Sequence, residues 1–277
     1  MSTKITPILK WAGGKRQLLP VITPMMPKQF HTYYEPFLGA GALFCDIQPS
    51  QAVINDVNKQ LMNMYMQIKD KPTEVCSIIS EIETKYNSKT TKEEKDEYYY
   101  EVRGEFNEVI DQEGTPLSAA LLIFLNKAGF NGMYRVNASG KYNIPSGHKK
   151  TVHAYDWENI DGWSKLLKNT NIMCCDFEES CSMAKEKDFV FLDSPYYNTF
   201  DTYQAGGFDI KDHERLAELY KKLSNKGIYC MLTNSNTDFI KNLYKDFHIK
   251  VVDVKRMINR NADGRTGKEV IITNYGE

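Results

Sequence analysis

Five short β-forming runs in this 277-residue chain each end in a polar or glycine-rich cluster, with amphipathic stretches of helical spacing in between. Tyr33-Tyr34-Glu35 leads into a glycine turn, Ala52-Val53-Ile54 into Asn55-Asp56, and Asn171-Ile172-Met173 to Asp176. Phe189–Leu192 leads directly to Asp193, and Ile228–Leu232 to Thr233-Asn234-Ser235. Strand-sized runs alternating with helical ones predict an α/β fold. In open α/β sheets ligands bind beyond the carboxyl ends of the strands, and all five clusters fall there. Ile249–Lys255 and Val270–Tyr275 predict a last pair of strands, joined by a polar loop at Asn259–Lys268.

Residues from about 60 to 165 do not keep this rhythm. Leu61–Tyr86 and Thr91–Ile110 read as long helices with charged faces, and Leu117–Leu125 as a buried helix started by Thr115-Pro116. A loop-and-turn region rich in Gly, Asn and Ser follows over Asn126–Gly147. The expected organisation is a sheet domain from 1–60 and 166–277, interrupted by a mainly helical insert over 61–165. With 42% hydrophobic and 26% charged residues the chain can build an ordinary globular core. It has no run of about 18 apolar residues, and its start, MSTKITPILKW, is not a signal peptide. A cytoplasmic protein without membrane contact is therefore expected. The six cysteines lack Cys-x-x-Cys spacing, which predicts reduced, mostly buried thiols and no metal site.

The net charge of −1 hides a local asymmetry. Between Lys127 and Lys150 lie five basic residues (Lys127, Arg135, Lys141, Lys149, Lys150) and no acidic one. Between Lys255 and Lys268 there are five more against the single acid Asp263. Local basic patches, more than the total, decide whether phosphates are attracted. Lys149, Lys150, Arg256, Arg260 and Arg265 are candidates for phosphate contact, set against the alternative of a solvated charged face.

The turn Glu35-Pro36-Phe37-Leu38-Gly39-Ala40-Gly41 suits a nucleoside cofactor, because glycines let a backbone approach a ligand before a helix begins. Phe44 stands where a dinucleotide fingerprint needs its third glycine, and the alternative is a plain tight turn. Asp56, ending the next strand, is placed to grip ribose hydroxyls or else to cap a helix. Lys10-Trp11-Ala12-Gly13-Gly14-Lys15 combines an aromatic face, two permissive glycines and a cation. Lys15 is read as pairing with a cofactor carboxylate, and Trp11 as packing beside a sulfonium. A flexible loop is the alternative. Asp176 and Phe177 could take an adenine amine and ring. In Asp193-Ser194-Pro195-Tyr196 an acceptor, a rigid turn and an aromatic ring can hold a flat, amino-bearing base beside a methyl donor.

In this order the motifs resemble the Dam-type S-adenosylmethionine-dependent DNA adenine-N6 methyltransferases, the class with motif order X, I, target recognition, IV. Lys10–Lys15 looks like that family's W-x-G-G-K, Glu35–Gly41 its E-P-F-x-G-x-G, Ile54–Asn58 its acidic ribose motif and Asp193–Tyr196 its D-P-P-Y. The resemblance implies a doubly wound Rossmann-like sheet ending in a β-hairpin. It also implies S-adenosyl-L-methionine as donor, S-adenosyl-L-homocysteine as product, and no metal. Phe130–Asn137 with Gly140–Gly147 looks like the hairpin that reads the DNA site. By that resemblance Arg135 would bond a guanine, Met133 and Pro145 would meet a thymine methyl, and Phe130 with Asn131 would fill the duplex beside an extruded adenine. Lys127 and Asn137 belong to the same surface, and GATC is the implied target. A core role for Phe130 and Met133 is the alternative. The expected enzyme is a monomer on double-stranded DNA, with any cognate restriction endonuclease acting separately.

One residue departs from the family pattern: Ser194 stands where the tetrad usually has proline. Serine keeps the carbonyl that serves as second acceptor for the amine, while Pro195 still restrains it. Cytosine-C5 chemistry is a poor fit because no cysteine follows a proline. N4-cytosine methylation and a catalytically silent DNA-binding regulator remain as rivals to adenine methylation.

Overall fold

The computed structural model describes residues 5–111, 114–197, 207–255 and 266–276. The elements begin with α1 (Leu19–Met25), β1 (Tyr33–Glu35), α2 (Ala42–Ile47), β2 (Ala52–Asn55), α3 (Lys59–Asp70), α4 (Pro72–Ser88) and α5 (Lys92–Val109). Then follow α6 (Pro116–Ala128), α7 (Trp157–Leu167), β3 (Thr170–Met173), α8 (Phe177–Ser180) and β4 (Phe189–Leu192). Last come α9 (Ile210–Asn225), β5 (Tyr229–Ser235), α10 (Asp238–Leu243), β6 (His248–Lys255) and β7 (Thr266–Thr273). Contacts group the chain into two units. The first is Met1–Gly14, Gly39–Gln48 and Asp56–Cys174, and the second is Lys15–Leu38, Pro49–Asn55 and Cys175–Glu277. This grouping cuts within the glycine turn, between Leu38 and Gly39.

In the second unit the strands lie in the order β2-β1-β4-β5-β7-β6. β2, β1, β4 and β5 run parallel, with Tyr33 opposite both Ala52 and Phe189, and Phe189 opposite Tyr229. β7 runs antiparallel to β5 and to β6, which gives the terminal hairpin implied by the sequence. All four residues of β4 are buried, as expected for a parallel strand covered on both faces. Val190 and Leu192 pack in one cluster with Leu216, Tyr220 and Leu223 of α9. On the alternate pleat Phe189 meets Tyr33 and Phe30, with ring centroids 5.8 and 5.5 Å away. Asp209 and Asp212 start α9 with reciprocal side-chain-to-backbone bonds, and His213, Leu216, Ala217, Tyr220 and Leu223 form its buried stripe. Each leucine-sized side chain so buried contributes about 1.5–3 kcal/mol.

The first unit is built around α6, of which nearly every residue is buried. Thr115 caps it by accepting from the Ser118 amide, with Pro116 in its first turn, as the sequence predicts. Helices α3, α4 and α5 surround it. Trp163 of α7 is fully buried against Phe44 and Tyr65, at 5.7 and 5.2 Å.

Three expectations need correction. The single helix over Leu61–Tyr86 is two, because Pro72 cannot continue the hydrogen-bond ladder and drives Lys71 out of helical geometry, to φ −136°. β7 begins at Thr266, within the segment expected as loop, since its backbone pairs with β6 whatever the polarity of Lys268 and Glu269. Thr233-Asn234-Ser235 continue β5 instead of ending it, paired to Ile271, Val270 and Glu269. Of the cysteines, Cys45, Cys76, Cys181 and Cys230 are buried, Cys175 partly so, and Cys174 is exposed. Among the described residues no helix is long and apolar enough to cross a membrane.

Candidate active site

In the second unit the tetrad leaves the buried end of β4 and is fixed from three sides. Lys15 Nζ lies 2.7 Å from Asp193 Oδ1, both side chains being at most 14% exposed. The same ammonium sits 4.6 Å from the centroid of the Tyr196 ring. Thr233 of β5 donates its hydroxyl to Asp193 Oδ1 at 2.6 Å. Tyr196 donates its hydroxyl to Glu269 Oε2 of β7 at 2.7 Å. Burial first, then the Asp193 and Glu269 carboxylates, push the Tyr196 phenol well above its ordinary pKa. Tyr196 is therefore a neutral donor.

Ser194 is buried, and its hydroxyl accepts from Asn234 Nδ2 at 3.3 Å. Asn234 Oδ1 in turn accepts from the Tyr197 amide at 3.0 Å, and Ser235 Oγ donates to the Tyr197 carbonyl at 2.9 Å. β5 thus straps the segment after β4. Pro195 is half-buried between these anchored neighbours. Replacing Ser194 by proline would stiffen the chain by about 0.4–1 kcal/mol but forfeit the Asn234 bond. Ser194→Pro is expected to change turnover less than about tenfold, as steady-state kinetics would show; a gain of several orders of magnitude would contradict this account.

Also in the second unit, Glu35 is buried at the end of β1 and accepts from Tyr33 Oη at 2.8 Å. The Pro36 carbonyl accepts from Asn55 Nδ2 at 3.0 Å. Phe37 is half-buried and packs against Phe177 and Phe208, with centroids at 5.4 and 5.8 Å. Phe177 is buried in the core cluster, which leaves Phe37 the more accessible ring of the two. Asp176 accepts from the Glu178 amide at 2.9 Å and so starts α8.

In the first unit, Gly39 and Gly41 both have positive φ, at 51° and 64°. A Cβ on Gly39 would come 3.1 Å from Trp11 Cδ1, so only glycine fits both the backbone conformation and the indole. Asp56 Oδ2 accepts from the Gly39 amide and Oδ1 from the Asn58 amide, each at 3.0 Å. Burial pushes the Asp56 carboxyl up, while the Asn58, Gly39 and Val57 amides pull it down. The cap of α3 is Asn58, which accepts from the Leu61 amide, so Asp56 does not serve as that cap. Trp11 stacks on Tyr134 at 5.1 Å. Gly13 has φ 77° beside Ala12, and a Cβ there would meet nothing within 4 Å.

The hairpin suggested by the sequence is present in the first unit. Gly129 bridges Ser146 and Val136 bridges Tyr142, with Phe130 N bonded to the Pro145 carbonyl at 3.0 Å. Phe130 is 50% exposed, and Asn131 beside it holds a left-handed backbone, φ 54°. Met133 is half-buried, and Arg135, Asn137 and Pro145 are exposed. Arg135 Nε donates to Asn143 Oδ1 at 2.8 Å, which steadies the guanidinium. Asn137 Oδ1 accepts from the Ser139 and Lys141 amides to close the turn. Lys127 is half-buried in the last turn of α6, and Lys149 and Lys150 are exposed. Arg256, Arg260 and Arg265 lie outside the described residues.

Four residues of this machinery have no such role assigned by the sequence motifs. Thr233 and Asn234 stand out there only as a cluster, and Glu269 carries no local signal because the β5–β7 register alone brings it to Tyr196. Buried Asn126 bonds Lys10 N, Lys10 O and the Gly132 carbonyl at 2.8–2.9 Å, tying the amino-terminal motif to the hairpin.

Parallel strands that carry carboxylates at their ends, closed by an antiparallel hairpin, are the architecture of a Rossmann-like methyltransferase fold. Residues 11–258 match the D12 class N6 adenine-specific DNA methyltransferases, and the chain belongs to that family. It is 37% identical over 98% of its length to the type II methyltransferase M1.LlaDCHI of Lactococcus lactis subsp. cremoris, covering 96% of that protein. It is 38% identical to the type II methyltransferase M.MjaIII of Methanocaldococcus jannaschii, over 98% of this chain and 100% of that one. A DNA adenine methylase of Haemophilus influenzae is 28% identical over 99% of this chain and 94% of its own.

Proposed function

We propose that this protein is a site-specific methyltransferase that modifies adenine N6 within GATC in double-stranded DNA, on a base turned out of the helix. The observation that carries the reading is the Lys15–Asp193–Thr233 array at the end of β4, in which Asp193 is part-buried between two buried partners, with the Tyr196 ring under the same ammonium. S-adenosylmethionine supplies an electrophilic methyl group when bound. The first unit holds features that suit its nucleoside: a glycine turn at positive φ with Asp56 on the Gly39 amide. Trp11, Ala12, Gly13, Gly39, Gly41 and Asp56, with Lys15, Glu35, Pro36, Phe37, Asp176, Phe177 and Asp193, are the proposed donor-binding residues.

The adenine amine is a poor nucleophile because its lone pair is delocalised into the ring. Asp193 and the Ser194 carbonyl accept its two hydrogens, which localises the lone pair and stabilises the positive charge that grows on nitrogen. Lys15 and Thr233 hold the Asp193 carboxylate in one orientation beforehand, so little alignment remains at the moment of reaction. Tyr196, anchored through its hydroxyl by Glu269, presents its ring for stacking on the extruded base. Chemistry on one adenine requires only a monomer, and a separate cognate restriction endonuclease is compatible with it.

The test is incubation with labelled S-adenosylmethionine and a panel of duplexes, followed by identification of the modified base. Label in N6-methyladenine from GATC duplexes alone is expected; label in another sequence overturns the site, and label in cytosine overturns the base. Residues 61–165, with Lys127, Phe130, Asn131, Met133, Arg135, Asn137 and Pro145, are proposed to read the site. Arg135→Ala should relax discrimination at the guanine by roughly 1–3 kcal/mol, measured as kcat/KM on matched and substituted duplexes. Lys149→Ala with Lys150→Ala should lower the slope of log affinity against log salt by about 0.9 for each phosphate that is no longer neutralised. An unchanged slope removes those lysines from the phosphate surface.

A further inference from the structure

Arg215, on the exposed side of α9, belongs to none of the motifs, yet its guanidinium is the most heavily engaged side chain near the start of α8. Its Nη2 donates to Asp176 Oδ1 at 2.9 Å, its Nε to Glu178 Oε1 at 2.9 Å and its Nη1 to Asp212 Oδ1 at 3.0 Å. Its Cζ lies 4.8 Å from the centroid of the Phe177 ring. One planar fork therefore touches both residues of the Asp176-Phe177 pair. Only arginine can do this, because a lysine ammonium is a point charge on a flexible stem and cannot serve three acceptors in fixed directions.

The geometry at Asp176 has a consequence for selectivity. Its Oδ1 accepts both from Arg215 and from the Glu178 amide, and neither contact uses Oδ2. With two donors on one oxygen the carboxylate plane is fixed, so Oδ2 points in one direction. The side chain is 45% exposed, which leaves that oxygen accessible to a ligand. A carboxylate oxygen is an acceptor only, and it selects a ring bearing an amine over one bearing a carbonyl or hydrogen at that position. Phe37 and Phe208, packed against Phe177, give an apolar wall of the same unit for the ring itself.

We infer that Arg215 is a positioning residue that orients Asp176 to select the adenine ring of the methyl donor by its exocyclic amine. This rests on the reading of Asp176 as the acceptor for that amine. The alternative is a surface clamp that joins α8 to α9 and has no effect on the ligand.

The experiment measures binding of S-adenosylhomocysteine and of its 6-deamino analogue, in which hydrogen replaces the amine, by calorimetry on the full-length protein. Wild type, Asp176→Ala, Arg215→Ala and Arg215→Lys are compared, with thermal melting as the check on folding. Wild type should prefer the amine-bearing ligand by about tenfold, the scale of one hydrogen bond to a charged group. That preference should collapse toward unity in Asp176→Ala and Arg215→Ala, and Arg215→Lys should not restore it. Preference lost in Asp176→Ala but retained in Arg215→Ala makes Arg215 a clamp and overturns the inference alone. Preference retained in Asp176→Ala, or missing from wild type, overturns the reading of Asp176 and the role of Arg215 with it. If Arg215→Ala melts too early to assay, Arg215→Lys, which keeps the charge, decides between the same outcomes.

Discussion

Asp193→Ala is expected to lower turnover by about 10³-fold while site-specific DNA binding persists. The magnitude is that of losing one preorganised electrostatic partner of the reacting atom in a site from which water is excluded. Asp193 is the acidic acceptor of the tetrad, and Lys15 and Thr233 already converge on its Oδ1. In the proposed mechanism its removal leaves the Ser194 carbonyl to accept from the amine without a carboxylate beside it, too little to localise the lone pair. Single-turnover kinetics on a GATC duplex, with DNA binding measured in parallel, check the prediction. Full turnover by the variant would transfer the chemistry elsewhere. If the wild-type protein itself transfers no methyl group while binding DNA, it is a silent regulator that has kept the fold.

The second large effect is at Lys15. Lys15→Met removes the ammonium and leaves the part-buried Asp193 carboxylate with the Thr233 hydroxyl as its remaining partner among the described residues. Breaking a buried ion pair from one side costs about 3–5 kcal/mol, whereas replacing both charges at once is often close to neutral. Lys15→Met alone should therefore be markedly destabilised, and Lys15→Met with Asp193→Ala should recover most of the loss. The double variant should remain inactive, because stability and chemistry separate at this pair. Denaturant unfolding of the four proteins in the cycle gives the coupling energy directly. A coupling near zero would mean that the 2.7 Å contact is incidental. The same substitution removes the cation from beside the Tyr196 ring, so stacking of the base should weaken as well, visible as a higher KM for DNA.

Local chemistry makes much of this protein legible from its residues. The four-residue apolar run before Asp193 is too short for a helix and too apolar for an edge, and it is indeed a fully buried central strand. Thr115-Pro116 marks the start of α6, and Thr91 with Glu94 forms a capping box at the start of α5. The long helix over Leu61–Tyr86 fails on one residue: its apolar spacing outweighs Pro72 in the pattern, although proline bars the hydrogen bond whatever surrounds it. The extent of β7 is hidden for a related reason. Lys268 and Glu269 look like loop, but a ladder is made by backbone groups that every residue other than proline carries.

Residue order alone dictates the α/β class, the succession of motifs and the position of the tetrad at the end of a strand, because strand period, turn residues and caps act over a few neighbours. Which side chains meet is decided only once the chain is folded. Lys15 and Asp193 are far apart in the chain, Glu269 reaches Tyr196 through an antiparallel register, and Arg215 holds Asp176 from another helix. Contacts of that kind depend on how strands pair and helices pack. Charge and hydrogen-bonding capacity are written in each residue; partnership is settled when burial leaves a polar group no acceptor except the one the fold brings to it.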